Sequence, residues 1–177
     1  MKILEKGISP SQSTPDANLR FLSNEIQPFL DAITEKIHHT HPNYDLECLF
    51  AEVFKNVPNV INAEWQGGAG DHGADILVTF DGGLPIPGLE KSSQLVVQVK
   101  SYEGEHWDVG AIENVKRAFK HYPDADMGLI ISTATSINKT VEEELEKLRE
   151  GSGKPVSILA GPDVAAFLLR YGAKLLA

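Results

Sequence analysis

Three polar side chains stand inside otherwise aliphatic runs. Asp75 lies in Ala74-Asp75-Ile76-Leu77-Val78, and Gln98 and Lys100 lie in Leu95-Val96-Val97-Gln98-Val99-Lys100. An acid and a lysine are costly in the interior of a sheet, so each needs a partner or a chemical task. Residues two apart on a strand share a face. If Asp75 and Gln98 face one another on neighbouring strands, Lys100 therefore shares their side. Asp75 could then offer a carboxylate oxygen to a hard cation such as Mg²⁺, Gln98 an amide oxygen and Val99 its backbone carbonyl. Lys100 could polarise or deprotonate an attacking water and stabilise charge developing on a phosphate. Together these parts describe metal-assisted phosphodiester hydrolysis. The same spacing equally fits a structural Asp–Lys ion pair at a sheet edge, and spacing alone does not choose.

The turn that leads to Asp75 is Gly67-Gly68-Ala69-Gly70-Asp71-His72-Gly73. Part of it has the spacing of a dinucleotide-binding glycine fingerprint. That motif requires a helix after the glycines, to hold a pyrophosphate at its N-terminus. Here an aliphatic strand follows, so the glycines read as a tight bend.

The remaining elements must position this pair of strands. A polar leader ends near Pro15, where Ser13 or Thr14 could cap a helix with proline at its first position. Leu19, Leu22, Ile26, Phe29, Leu30, Ile33 and Ile37 recur at helical spacing, with Pro28 expected to kink the helix or split it. His38, His39 and His41 end this helix and read as solvated. A second helix runs from about Asn43 to Lys55, with Leu46, Leu49, Phe50, Val53 and Phe54 inward and Cys48 read as a buried thiol. Glu47 flanks that stripe as a surface charge would. Val60 to Gln66 alternates like a strand. After Lys100 the pattern becomes helix and strand in turn: a helix over Val109–His121, a strand over Asp126–Ser132, and a helix from Ser136 or Asn138 to Glu150. A strand over Val156–Leu159 and a helix over Pro162–Leu176 complete it. These units imply right-handed crossovers and parallel pairing. The expected fold is α/β: one mixed sheet, antiparallel first and parallel afterwards, flanked by helices.

A net charge of −9 over 177 residues argues against a simple electrostatic nucleic-acid binder, although bound cations and a local basic patch can offset it. One cysteine rules out an internal disulfide framework and a multi-cysteine zinc site. No run is apolar enough to span a bilayer and no signal peptide is evident, so the expected location is the cytoplasm.

Gly70-Asp71-His72-Gly73-Ala74-Asp75 followed by Val97-Gln98-Val99-Lys100 resembles the catalytic core of the Mrr-like restriction endonucleases, within the PD-(D/E)XK nuclease superfamily. That family has a helix glutamate, a GDxGxD turn and a QxK strand, with glutamine replacing the usual second acid. Tyr44-Asp45-Leu46-Glu47-Cys48-Leu49-Phe50 is similar to its first core helix. Gly128 to Thr133 resembles its later strand, and Val156 to Phe167 its closing strand and helix. The likeness runs from about Tyr44 to Tyr171. His72, where a small residue is usual, and the long Asp81–Ser93 connection depart from it.

The resemblance implies a restriction-endonuclease-like core over residues 41–177, with residues 1–40 as an added leader and amphipathic helix. It also implies cleavage of DNA in defence, with Mg²⁺ or Mn²⁺ held by Asp75, Gln98, the Val99 carbonyl and Glu47, and Lys100 activating water. Lys116, Arg117, Lys120 and Ser132 are weaker candidates for contact with nucleic-acid phosphates, against the alternatives of a solvated face and of helix capping. Family members usually carry a separate DNA-binding domain, so target choice is left to a partner subunit, to a homodimer, or to neither. The competing expectations are a non-catalytic nuclease-fold subunit, whose long N-terminal helix docks a partner, and an RNA substrate.

Overall fold

The aliphatic runs form one five-stranded sheet whose strands lie side by side in chain order. The computed structural model describes residues 15–68, 72–83, 87 and 90–175, with side chains described from residue 26 onward. The expected cap at Ser13 or Thr14 and the Gly70-Asp71 part of the glycine turn lie outside the described residues. Strands β1 (Val60–Trp65), β2 (Ile76–Asp81) and β3 (Ser92–Lys100) pair antiparallel. Strands β4 (Met127–Ser132) and β5 (Val156–Ala160) continue the sheet in parallel. The expected mixed topology is thus the observed one.

Helices cover both faces, as aliphatic strands require. On one face α3 (Gly110–His121) and α4 (Lys139–Ser152) enclose a core with Ala74, Val96, Ile130 and Val156. On the other, α2 (Tyr44–Phe54) and α5 (Pro162–Tyr171) pack on Ile76, Val78, Val97, Val99 and Ile131. Val96 and Val97 thus enter different cores. By alternation Gln98 and Lys100 lie on the α3 side and Val99 on the α2 side.

Several boundaries sharpen. The Asn138 side chain accepts from Val141 N at 3.0 Å and starts α4, so neither Ser136 nor any earlier hydroxyl is its cap. Helix α5 ends at Tyr171 instead of continuing to Leu176, and a short 3₁₀ turn, Ala173–Leu175, follows. Cys48, expected buried, is half-buried.

Helix α1 (Pro15–Thr40) is broken at Ile26, where φ is −117° and ψ is 19°, two residues before Pro28. The break re-phases the apolar stripe. Leu30 and Ile37 are buried, whereas Ile26 and Phe29 are 41% and 60% exposed. Leu30 packs on Ala165 and Ala166 of α5, and Thr34 Oγ1 donates to Gly161 O at 2.8 Å. This half of α1 therefore docks on the chain's own last helix. Among the described residues, no helix is long and apolar enough to cross a membrane.

Candidate active site

Asp75 stands one residue ahead of β2 but is held in the ladder on both sides. Its N–H donates to Val97 O at 2.8 Å, and its carbonyl accepts from Gln66 N at 2.7 Å. Extending the Ile76↔Val97 register by one residue sets Asp75 opposite Gln98, the cross-strand neighbour relation required for a shared site. Both side chains are sealed from solvent, with 3% and 1% exposure.

The two are bonded. Gln98 Nε2 donates to Asp75 Oδ2 and to Val99 O at 3.2 Å. Val99 N donates to the same carboxylate oxygen at 2.6 Å. Two acceptors around Nε2 fix the orientation of the amide. Gln98 Oε1 is then turned into a buried position with no hydrogen-bond partner among the described residues. An orphaned buried acceptor is costly, and it is the type of atom that a hard cation takes as a ligand. The donor types present fit an oxygen-ligated cation, namely a carboxylate, an amide oxygen and a nearby backbone carbonyl, but here Nε2 faces Asp75 and the Val99 carbonyl, so the amide has to turn over to bring Oε1 beside them. Among the described residues, no three His, Cys, Asp or Glu side chains converge as a metal cluster.

Lys100 ends β3, half-buried, two residues beyond Gln98 on the same face. Its carbonyl accepts from Thr133 N at 3.1 Å. The structure adds a neighbour that carries no periodic or motif signal in the sequence, Asp108. Tyr102 Oη donates to Asp108 Oδ2 at 2.7 Å, and Gly110 N donates to Oδ1 at 2.6 Å. The Tyr102 bond chiefly, then the Gly110 N–H and the charge of Lys100, hold the Asp108 carboxyl below its ordinary value. Burial and the same bond push the Tyr102 hydroxyl up. A depressed carboxylate contributes stability that is full above its unfolded pKa of about 3.9 and is lost as pH falls through the lower folded value. Asp108→Asn is thus expected to be less stable than wild type at neutral pH, with the difference closing in acid. Urea midpoints measured across that range check it.

Glu47 lies one strand further out, half-buried on α2. Its Oε2 accepts from Trp65 Nε1 at 2.9 Å, and Trp65 in turn meets the Tyr44 ring edge-on at 4.7 Å between centroids. Trp65 ends β1 beside Ile76, so Glu47 sits at the same end of the sheet as Asp75, though on the α2 side. Asp75, Gln98, Val99 and Lys100 are brought together; Glu47 is brought to their margin.

The expected phosphate contacts separate. Lys116 and Lys120 line a groove of ≈ 460 Å³ between α3 and α4, and Lys116 pairs with Glu113 at 3.3 Å. By helical spacing Arg117 belongs with Asn114 and His121 on the other flank. There Gly73 lies against Asn114, and His72 stacks on His121 at 3.6 Å. Ser132 is fully buried, and its hydroxyl accepts from Ala134 N at 3.1 Å, so it offers no surface to a phosphate in this conformation.

The histidines at the end of α1 also differ from expectation. His39 is exposed, but His38 is half-buried, with Nδ1 2.8 Å from Ser101 Oγ and 3.3 Å from Thr133 Oγ1. Helical spacing could not reveal this, because both partners lie on distant strand ends.

Residues 40–168, more than half of the chain, match the family Mrr_cat, described as a restriction endonuclease. Among solved structures, the fold is similar to that of restriction endonuclease FokI bound to DNA, with a TM-score of 0.53 and 13% identity over 78% of this chain. It is also similar to the DNA modification-dependent restriction endonuclease AspBHI, with a TM-score of 0.51 and 15% identity over 91% of this chain. The chain spans 27% and 37% of the lengths of those two proteins. No curated protein matches it.

Proposed function

Because the chain belongs to the Mrr_cat family of restriction endonucleases, we propose that it is a divalent-cation-dependent endonuclease that hydrolyses DNA phosphodiester bonds in defence against foreign DNA. The observation that carries this reading is the buried Asp75–Gln98 pair, a carboxylate bonded to an amide whose oxygen has no partner among the described residues, two residues from Lys100. Of the two similar folds, one is bound to DNA and one is named as DNA modification-dependent, which favours DNA over RNA as the substrate.

Asp75 Oδ atoms, Gln98 Oε1 and the Val99 carbonyl would hold Mg²⁺ or Mn²⁺, with Glu47 contributing from the margin. When bound, the cation supplies Lewis acidity at the phosphodiester. The protein's own groups do the rest. The backbone bonds of Asp75 and Val99 keep the carboxylate and carbonyl oxygens in place as charge develops, and the Gln98 amide would turn to present Oε1 beside them. Lys100 Nζ would polarise or deprotonate the attacking water and stabilise the charge developing on the phosphate oxygens. Of the basic residues of α3, Arg117, which shares a flank with Asn114 and His121, would contact phosphate outside the reacting centre, while Lys116 and Lys120 line the groove toward α4. A homodimer or partner subunit would supply target choice.

One observation favours the non-catalytic reading. Asp75 Oδ2 already accepts two hydrogen bonds, from Gln98 Nε2 and from Val99 N, a role a purely structural acid would fill. Calorimetric titration with Mn²⁺ separates the two. The nuclease reading expects saturable binding that is lost in Asp75→Asn and weakened in Glu47→Gln, which keeps an acceptor for Trp65 Nε1. Binding that is the same in Asp75→Asn as in wild type contradicts the assignment.

A further inference from the structure

The end of β3 is braced from outside the matched family region. His38 belongs to α1, ahead of residues 40–168, yet its Nδ1 lies 2.8 Å from Ser101 Oγ, on the residue after Lys100. The same nitrogen is 3.3 Å from Thr133 Oγ1. Thr133 is tied to the Lys100 segment three further ways. Its N–H donates to Lys100 O at 3.1 Å, its hydroxyl donates to Tyr102 O at 2.7 Å, and Tyr102 N donates to its Oγ1 at 2.8 Å. Because the Thr133 hydroxyl hydrogen goes to Tyr102 O, its Oγ1 can only accept from the ring, so the brace uses the Nδ1–H tautomer, shared between Ser101 Oγ and Thr133 Oγ1 on either side of the Lys100–Thr133 bond.

The ring has a fixed base. One turn earlier, Thr34 Oγ1 is bonded to Gly161 O at 2.8 Å, and Leu30 is buried against α5. Thr34 and His38 are four residues apart and share a helix face. Helix α1 is therefore clamped to the end of β5 and presents His38 to the ends of β3 and β4. Ser101 alternates to the side opposite Lys100, so the brace acts on the backbone and leaves the lysine's own face open to substrate.

We infer that His38 is a positioning residue for Lys100: by bonding Ser101 and Thr133 it fixes the backbone from which the lysine projects. The inference rests on the nuclease reading for its kinetic consequence and on geometry alone for the brace. A displacement of about 1 Å at a reacting group can cost on the order of a hundredfold in rate, so a loosened β3 end acts on the chemical step and leaves DNA binding alone.

The test uses the full chain, linear duplex DNA and Mg²⁺, with single-turnover rates for wild type, His38→Ala, His38→Asn, Ser101→Ala and the His38→Ala/Ser101→Ala double variant. His38→Ala and Ser101→Ala are each expected to slow the saturating rate by about tenfold to a hundredfold. The half-saturating DNA concentration should change by less than about twofold, since uniform binding is untouched. The double variant should be no slower than His38→Ala alone, because the Ser101 contact is one of the two that His38→Ala already breaks. His38→Asn, whose amide can still bond Ser101, should recover most of the rate. Equal rates in wild type and His38→Ala, multiplying effects in the double variant, or no recovery in His38→Asn would each overturn the inference.

Hydrogen exchange of the Tyr102 and Thr133 amides decides the brace independently of activity. Faster exchange in His38→Ala supports it, and unchanged exchange overturns it. Wild type that cleaves no DNA counts against the nuclease reading, while the exchange result still decides whether His38 braces β3.

Discussion

Asp75→Asn and Lys100→Ala should each leave a folded protein that has lost nearly all DNA cleavage. The two losses have different causes. An amide in place of the Asp75 carboxylate keeps one side-chain oxygen to accept from Val99 N, so the ladder end survives, but the charge that would hold a cation is gone. Lewis-acid stabilisation is worth several kcal/mol, so the expected loss is about 10³-fold or more. Asp75→Ala is the poorer probe. It strands Val99 N and Gln98 Nε2 without their carboxylate acceptor, at about 1–3 kcal/mol for each buried group, and so mixes misfolding with lost chemistry. Lys100→Ala removes a half-buried cation at a strand end, and the loss of general acid–base or charge assistance is roughly 10²–10⁴-fold. Rates from single-turnover cleavage, with circular dichroism as the folding control, measure both. Wild-type rates in either variant would remove these residues from the reaction.

Gly73→Ala should have the largest effect on stability outside the core. Gly73 has φ of +92°, and a Cβ there would lie 2.2 Å from Asn114 O in the backbone of α3. A helix carbonyl cannot move aside as a flexible side chain can. Positive φ costs a non-glycine residue about 1–2 kcal/mol, and forced overpacking adds about 1–3 kcal/mol. A total of roughly 2–5 kcal/mol corresponds to a fall in Tm of about 5–15 °C for a chain of this size. Because this segment leads into Asp75, cleavage should fall as well, even at temperatures where the variant is folded. Gly151→Ala is the control. Gly151 is exposed within α4 and a Cβ there meets nothing within 4 Å, so alanine should be neutral or stabilise by up to about 1 kcal/mol. Thermal unfolding of the two variants measures the contrast.

Gln98 and Lys100 were legible because strand periodicity puts alternate residues on one face, and the register then set Asp75 opposite Gln98. The order of antiparallel and parallel strands followed from the change from hairpin connections to helical crossovers. The brace at His38 was not legible: it spans 63 residues to Ser101, and no local pattern encodes which strand end a helix terminus will reach. Asp108 was missed for a related reason. It is a loop acid whose role depends on Tyr102 folding back onto it. The stripe of α1 was misread at Ile26 and Phe29 because the break at Ile26 changes the helical phase, and a constant period cannot anticipate that. The basic residues of α3 were adjacent in sequence but divided by helical geometry into a groove-lining pair and Arg117.

Whether this site cuts DNA with a divalent cation and Lys100 can be decided in a single plasmid assay. The full chain is incubated with supercoiled plasmid in Mg²⁺, in Mn²⁺ and in EDTA, with wild type and Lys100→Ala run side by side. Nicked and linear products are expected from wild type with either cation and none in EDTA, while Lys100→Ala leaves the plasmid intact throughout. Cleavage that proceeds in EDTA, or equally fast with Lys100→Ala, would show that the cation or the lysine has been wrongly assigned.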